Sequence, residues 1–278
     1  MPDFTDKVVV ITGASTGIGR ATAIAFAQAG ARVALAARSA EALAQLAAEL
    51  GGSQRALAIP TDVSDPAQCQ QLIDRTVEAF GRVDALINNA GMVVSGLFES
   101  LMPEDMTYQF AVNFFGAIHC TQAALPYLKA SRGVIVNVSS VAGLIGTPTS
   151  SAYSASKAAM NAWARALWVE MQPYGVGVVT VCPYFTSGVK LAEKGILREG
   201  SLHSTPQKRR HAPGTQTAEE VAQAILKATH RRPRIVVLSP AGKLIWLLDR
   251  LFPWLTDWVM ARGLPRLLNH SALKIDDR

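Results

Sequence analysis

Short apolar and β-branched runs recur along the chain at residues 8–12, 32–37, 55–60, 85–88, 134–138, 177–182 and 235–238, and each reads as a strand. Between most of them lie helix-length segments with apolar residues three and four apart. Ala21 to Phe26 is such a segment, closed by Gly30, and Leu72, Val77 and Phe80 mark another, closed by Gly81. This alternation predicts βαβ units and a parallel sheet. Val8 to Ile11 is apolar at every position, which suits a strand covered by helices on both faces. The expected architecture is therefore α/β and doubly wound, a seven-stranded, mostly parallel sheet between two helical layers.

Two segments break the rhythm. Residues 184–216, rich in Lys, Arg, Gly, Ser and Pro, follow a predicted strand at the carboxyl edge where such sheets bind ligands, and a substrate lid is expected there. Near the end, Leu244, Ile245, Trp246, Leu247, Leu248, Leu251, Phe252, Trp254, Leu255, Trp258, Val259 and Leu264 form an amphipathic pattern interrupted by Pro253. No linker or internal repeat divides the rest. The expected partition is one domain over 1–240, including the lid, and a C-terminal helical extension over 241–278.

Composition narrows the class. The chain has 278 residues, 17% charged and 49% hydrophobic, enough apolar material for a sizeable core. Its longest apolar stretches fall short of the roughly 18 residues that span a bilayer. The opening residues Met1 to Asp6 carry neither a basic region nor an apolar one, so the expected location is cytoplasmic. Cys69, Cys120 and Cys182 lack metal-site spacing and read as buried, reduced thiols; no metal is expected. Much of the net charge of +6 lies in 190–210 and 231–278, with the first 180 residues nearly balanced, so no nucleic-acid partner is expected.

Candidate chemistry begins after the first strand. The turn Thr12-Gly13-Ala14-Ser15-Thr16-Gly17-Ile18-Gly19 leads into a helix expected to begin near Arg20. Glycine permits a tight strand-to-helix turn and close approach of backbone N–H groups to a diphosphate, while the helix N-terminus adds partial positive charge. An ordinary glycine-rich turn has the same composition. The second strand ends in Ala36-Ala37-Arg38-Ser39, where an acidic residue would bond the ribose 2′-hydroxyl of NAD. With no carboxylate there and a guanidinium at hand, a 2′-phosphate fits better, so NADP(H) is expected in preference to NAD(H). The competing reading has Arg38 ending its strand in solvent.

Farther on, Tyr153 and Lys157 stand four apart in an alanine-rich segment, hence on one helix face. A neighbouring ammonium favours the phenolate, so Lys157 is expected to lower the pKa of Tyr153 and make it a general acid/base.

Taken together, the phosphate turn, Asn88-Asn89-Ala90-Gly91, Asn113, Ser140 and Tyr153-x-x-x-Lys157 follow the order and spacing of the short-chain dehydrogenase/reductase family. The chain resembles its common type of about 250 residues over residues 6–240. The resemblance implies a Rossmann fold, a small-molecule carbonyl or alcohol substrate, and a homodimer or homotetramer. It implies that Tyr153 transfers the proton, that Lys157 holds the nicotinamide ribose, that Ser140 hydrogen-bonds the substrate oxygen, and that Asn113 holds a water joining Lys157 to solvent. Ser139 is the alternative to Ser140. Cofactor contacts are implied for Gly13, Ser15, Thr16, Gly17, Ile18 and Gly19, for Asp62 and Val63 at the adenine, and for Asn89, Ala90 and Gly91 at the adenosine ribose. Asp62 has a structural alternative, capping the helix that starts near Pro66.

After the sixth strand the sequence departs from the family. Cys182-Pro183 is followed by Tyr184-Phe185-Thr186-Ser187-Gly188, with Tyr184 at the usual glycine and Gly188 where a nicotinamide-contacting threonine is expected. Pro183 stays in place; Thr186 or Ser187 takes the threonine's part.

Two other function classes compete with the enzyme. A catalytically silent dinucleotide sensor or scaffold would keep the fold but lose the tyrosine or lysine. A membrane-peripheral, lipid-modifying reductase would use Trp246, Trp254 and Trp258 among Lys243, Arg250, Arg262 and Arg266 to sit at a headgroup boundary. That same apolar face would otherwise pack on the core, the lid or a second subunit. An apolar lid and tail point to a hydrophobic substrate; Lys190, Lys194, Lys208, Arg209 and Arg210 read first as a solvated, flexible face and otherwise would suit an acidic substrate.

Overall fold

The computed structural model describes residues 2–187, 195–201 and 214–269. Strands β1 (Val8–Thr12), β2 (Arg32–Ala37) and β3 (Ala56–Pro60) alternate with helices α1 (Gly17–Gln28), α2 (Ala40–Glu49) and α3 (Pro66–Phe80). Then come β4 (Ala85–Asn88), β5 (Val94–Ser95), α4 (Pro103–Phe110), a π-helical turn (Ala111–Phe115) and α5 (Gly116–Ser131). The remainder is β6 (Val134–Val138), α6 (Ser151–Met171), β7 (Gly177–Cys182), β8 (Ile196–Leu197), α7 (Ala218–Arg231), β9 (Ile235–Val237), α8 (Pro240–Leu251) and α9 (Pro253–Asn269).

Seven strands form one sheet in the order β3-β2-β1-β4-β6-β7-β9, every pair parallel. Side chains on a strand alternate between faces, and each face has its own core. Val9, Ile11, Val33, Leu35, Val136 and Val179 meet Phe26 of α1, Leu43 and Leu46 of α2, and Ile225 of α7. Val10, Ala34, Leu86, Ile135 and Val178 meet Leu72 and Ile73 of α3, Leu128 of α5 and Leu167 of α6. Both faces being dry explains why the strands read as unbroken apolar runs.

The chain runs outward through β1, β2 and β3, then returns to place β4 on the other side of β1. The order reverses between β1 and β4, and a crevice opens at their carboxyl ends. Short pieces frame it. The two-residue strands β5 and β8 pair in parallel, and Arg198 beside them makes two 2.8 Å hydrogen bonds to the Asp105 carboxylate of α4. Neither strand shows in the hydrophobic pattern.

The C-terminal extension consists of two helices that meet at Pro253. Trp246 and Gly242 of α8 rest against Val141, Tyr184 and their neighbours, while Leu244, Leu247, Leu251, Trp254 and Trp258 are exposed. No described helix is long and apolar enough to cross a membrane. Of the lid region, Gly188, Lys190, Lys194, Lys208, Arg209 and Arg210 lie outside the described residues.

Candidate active site

Helix starts are normally satisfied by a side chain, a contribution of about 1 kcal/mol. Here α2 is capped by Ser39, α3 by Asp65, α7 by Thr217 and α8 by Ser239. At α1, Thr16 makes no side-chain cap and the first turn holds no acidic residue, although this end faces the crevice between β1 and β4. The helix begins at Gly17, three residues before the expected start. Its leading N–H groups, like those of α6, have no side-chain acceptor, an arrangement in which a helix start can receive an anion.

The turn that presents them is held from β4. Thr12 Oγ1 accepts from Asn89 N and Ala90 N, each at 3.0 Å, and Asn89 Nδ2 donates to Thr12 O at 3.0 Å and Gly13 O at 3.3 Å. Gly13 has φ +67°, and a Cβ on Gly19 would fall 2.1 Å from Gly13 O. The two glycines are therefore required by the turn itself. Thr12 escaped the sequence reading as a site residue; a hydroxyl at the last strand position before the glycines is the signal that marks it.

At the neighbouring strand end, Arg38 is exposed, and its Nη1 donates to the Tyr108 hydroxyl of α4 at 3.0 Å. Asp62 does not cap α3. Its Oδ1 accepts from Ser64 N at 2.9 Å and Ser64 Oγ at 2.7 Å, and Asp65 is the helix cap. Asp62 thus shapes the loop in which Val63 packs beneath Gly116.

Ser140, Tyr153 and Lys157 come together across the crevice. Ser140 begins the short turn Val141–Gly143, where its Oγ accepts from Ala142 N, and its hydroxyl lies close enough to the Tyr153 phenol to act on its titration. Ser139 is turned inward, its hydroxyl donating to Lys157 O at 3.4 Å and lying near the Cys182 thiol. The structure thus puts Ser140, not Ser139, at the tyrosine. Lys157 is 3% exposed; its ammonium donates to Val138 O at 2.8 Å and stands 5.9 Å from the centre of the Tyr153 ring.

Electrostatics here differ from the sequence expectation. Burial pushes the Tyr153 phenol up to about 12, against the influence of the nearby Ser140 hydroxyl, which favours the phenolate, and burial brings Lys157 down to about 8. Desolvation, which disfavours the charged form of each group, is the largest influence on both. Cys182, close enough to act on both, is itself pushed up to about 12 by burial and stays a neutral thiol.

Asn113 lies fully buried in the π-helical turn, a backbone irregularity often found at functional sites. Its Nδ2 donates to Met92 O and Ser156 Oγ, and its Oδ1 accepts from Met92 N at 2.8 Å. Both amide protons are used, so only a lone pair on Oδ1 remains for a water. A Cβ at Gly91 would stand 3.4 Å from that oxygen and 3.8 Å from Lys157 Nζ, so glycine keeps the space between them open.

Along the last rim, Pro183 O accepts from Val141 N, and Thr186 pairs with Gln216, its Oγ1 donating to Tyr184 O at 3.4 Å. Ser187 bonds Gln216 O through both backbone and side chain. Both hydroxyls are engaged locally. Beside them Leu144, Ile145, Tyr184 and Trp246 pack against buried Val141, Cys182 and Val237, so part of the C-terminal apolar face rests on the core, one of the places the sequence allowed for it.

Comparison with known proteins is consistent in direction. The family model described as short chain dehydrogenase matches residues 7–196. The protein named 11-beta-hydroxysteroid dehydrogenase 1A from Arabidopsis thaliana is 37% identical over 261 residues, spanning 91% of this chain and 74% of the plant protein. An uncharacterized oxidoreductase from Thermotoga maritima is 44% identical over 185 residues, 65% of this chain and 72% of its own. Among solved structures, a short chain dehydrogenase/reductase from Burkholderia phymatum in complex with NAD superposes with TM-score 0.79 at 30% identity, covering 92% of this chain and 96% of that one. The alcohol dehydrogenase from Thermococcus sibiricus complexed with 5-hydroxy-NADP gives TM-score 0.73 at 28% identity, covering 84% and 96%.

Proposed function

This chain belongs to the short-chain dehydrogenase/reductase family of oxidoreductases, and we propose that it moves a hydride between NADP(H) and the carbonyl or secondary-alcohol carbon of a hydrophobic small molecule, with Tyr153 transferring the proton. The observation that carries this reading is the gathering of the Ser140 hydroxyl, the Tyr153 phenol and buried Lys157 just beyond the carboxyl end of β6, beside the point where the sheet order reverses. A silent scaffold would lack one of these groups.

The uncapped start of α1, with Gly13, Ser15, Thr16, Gly17, Ile18 and Gly19, would hold the diphosphate, and Arg38 the 2′-phosphate. Asp62 and Val63 would meet the adenine, Asn89 to Gly91 the adenosine ribose, and Pro183 and Thr186 the nicotinamide amide. When bound, the nicotinamide supplies or takes up the hydride.

Ser140 and the neutral phenol of Tyr153 then donate to the substrate oxygen as negative charge develops on it. With a pKa of about 12 the phenol is protonated at neutral pH, the form needed for carbonyl reduction. Lys157, near 8, is mostly charged at neutral pH and favours the phenolate once the proton has left. Asn113 fixes Met92 against α6 and keeps one lone pair toward the lysine.

The apolar cluster of Leu144, Ile145, Tyr184 and Trp246, packed on Val141 next to Ser140, supports a bulky apolar substrate, such as a lipid, steroid-like or aromatic ketone, and the name of the Arabidopsis relative is in keeping with it. The test is a panel of hydrophobic ketones in which NADPH and NADH oxidation are followed in parallel. Turnover with NADPH well above NADH is expected. Tyr153→Phe should lose about 10²-fold or more of that turnover while still binding NADPH; near-normal turnover of this variant rejects the mechanism.

A second reading concerns location. Trp254 is 68% and Trp258 50% exposed on α9, with Leu244, Leu247 and Leu251 exposed on α8, and Arg262 lies 4.2 Å over the Trp258 ring. Apolar side chains bordered by Lys243, Arg250 and Arg262 fit the surface of an anionic bilayer, so the extension is assigned to peripheral membrane contact. Self-association as a dimer or tetramer belongs to the same proposal, with exposed Phe115 and Val169 as its apolar contribution.

A further inference from the structure

Tyr108 and Arg38 are 70 residues apart and meet at 3.0 Å, guanidinium donating to phenol oxygen. An arginine at an exposed strand end has many rotamers of similar energy, and only some direct its fork toward a phosphate at the neighbouring turn. What fixes it here is a tyrosine that is itself fixed. Tyr108 packs against the apolar cluster of Met92, Val94 and Ala152. Next to it, fully buried Gln109 accepts from Val94 N at 2.6 Å and donates to Met92 O at 2.8 Å, locking the register of this turn of α4. One turn earlier, the Asp105 carboxylate receives both Arg198 and Met102 N.

Among the described residues Arg38 has no carboxylate partner, so its charge is not neutralised by the protein. The phenol oxygen accepts one of its five donors and leaves the others for an anion. A neutral partner on a rigid support can hold the guanidinium in place without competing for its charge, which a carboxylate would do.

We propose that Tyr108 is a positioning residue for cofactor choice: it pre-sets the Arg38 guanidinium over the crevice and thereby strengthens selection of a 2′-phosphorylated dinucleotide. The inference rests on the reading of Arg38 as the 2′-phosphate ligand. It concerns cofactor binding and not the proton-transfer groups.

Direct titration calorimetry with NADPH and NADH separates the two claims. Arg38→Ala should weaken NADPH binding about 100-fold and leave NADH within about 2-fold, because charge-assisted bonds to a phosphate are lost. Tyr108→Phe keeps the ring packing and should weaken NADPH about 5- to 10-fold, the worth of one net hydrogen bond, with NADH again within about 2-fold. In the Arg38→Ala background Tyr108→Phe should add nothing, since the partner through which it acts is gone. If Arg38→Ala behaves as stated but Tyr108→Phe leaves the NADPH-to-NADH ratio unchanged, tightens NADPH, or weakens both cofactors equally, the role of Tyr108 is wrong while that of Arg38 stands. If Arg38→Ala spares NADPH, the reading of Arg38 fails and this inference falls with it.

Discussion

Lys157→Met probes the electrostatics of the site without any substrate. The native ammonium is buried, bonded to Val138 O, and brought down from the ordinary lysine value of 10.5 to about 8. In the unfolded chain the lysine keeps its proton to about 10.5, so between pH 8 and 10.5 the unfolded state binds more protons than the folded one. Stability contributed by this group therefore rises with pH through that window, because the folded protein sheds a buried charge that the unfolded chain still carries. At 1.36 kcal/mol per pKa unit, the wild type should gain about 2 kcal/mol from this group between about pH 7.5 and 10.

Methionine preserves the length of the side chain and binds no proton. Its lost hydrogen bond to Val138 O costs about 1–3 kcal/mol, the same at every pH. The stability of the variant minus that of wild type should then fall by about 2 kcal/mol over the same range. Urea unfolding of both cofactor-free proteins across the range measures this difference, in which groups common to both cancel. A difference that is flat with pH, or that rises, would refute the assignment of a buried, depressed lysine.

Three further outcomes follow from the same geometry. Gly19→Ala places a methyl 2.1 Å from Gly13 O and 2.5 Å from Asn89 Nδ2, so it should destabilise by about 1–3 kcal/mol or more and abolish dinucleotide binding, measured by thermal melts with and without NADPH. Ser140→Ala should lower turnover about 100-fold with little change in melting temperature, whereas Ser139→Ala, whose hydroxyl supports Lys157 O, should act mainly on stability, by about 1 kcal/mol; equal kinetic effects would contradict their opposite orientations. Replacing both Trp254 and Trp258 with alanine should release the protein from phosphatidylserine-containing vesicles in a sedimentation assay while turnover on a small ketone is retained; an intact chain that does not sediment rules out the membrane contact.

The alternation of elements was legible in the chain because a parallel sheet buried on both faces demands unbroken apolar strands, and all seven strands of the main sheet lie where those runs occur. Gly13 and Gly19 were legible for a related reason: a backbone turn packed this closely admits no side chain, so the constraint is written at the position itself. Local signals served less well where partners are distant. Strands β5 and β8 have two residues each and exist only through each other across about a hundred residues, too short for any periodicity. The start of α1 at Gly17 goes against glycine's poor helix propensity, but the backbone there has φ +55°, a left-handed conformation that favours glycine.

The sequence by itself determined which chemical groups are present: a tyrosine and a lysine four apart, a serine pair, an arginine at a strand end. Tertiary structure decided what those groups are like. Proximity of Lys157 to Tyr153 along a helix suggested a lowered phenol pKa, yet the depth of α6 against β6 and β7 removes water from both and raises it, since desolvation depends on everything packed around a group and not on its sequence neighbours. The same holds for the packing of Trp246 and for the tyrosine at Arg38, which rest on contacts between elements far apart in the chain.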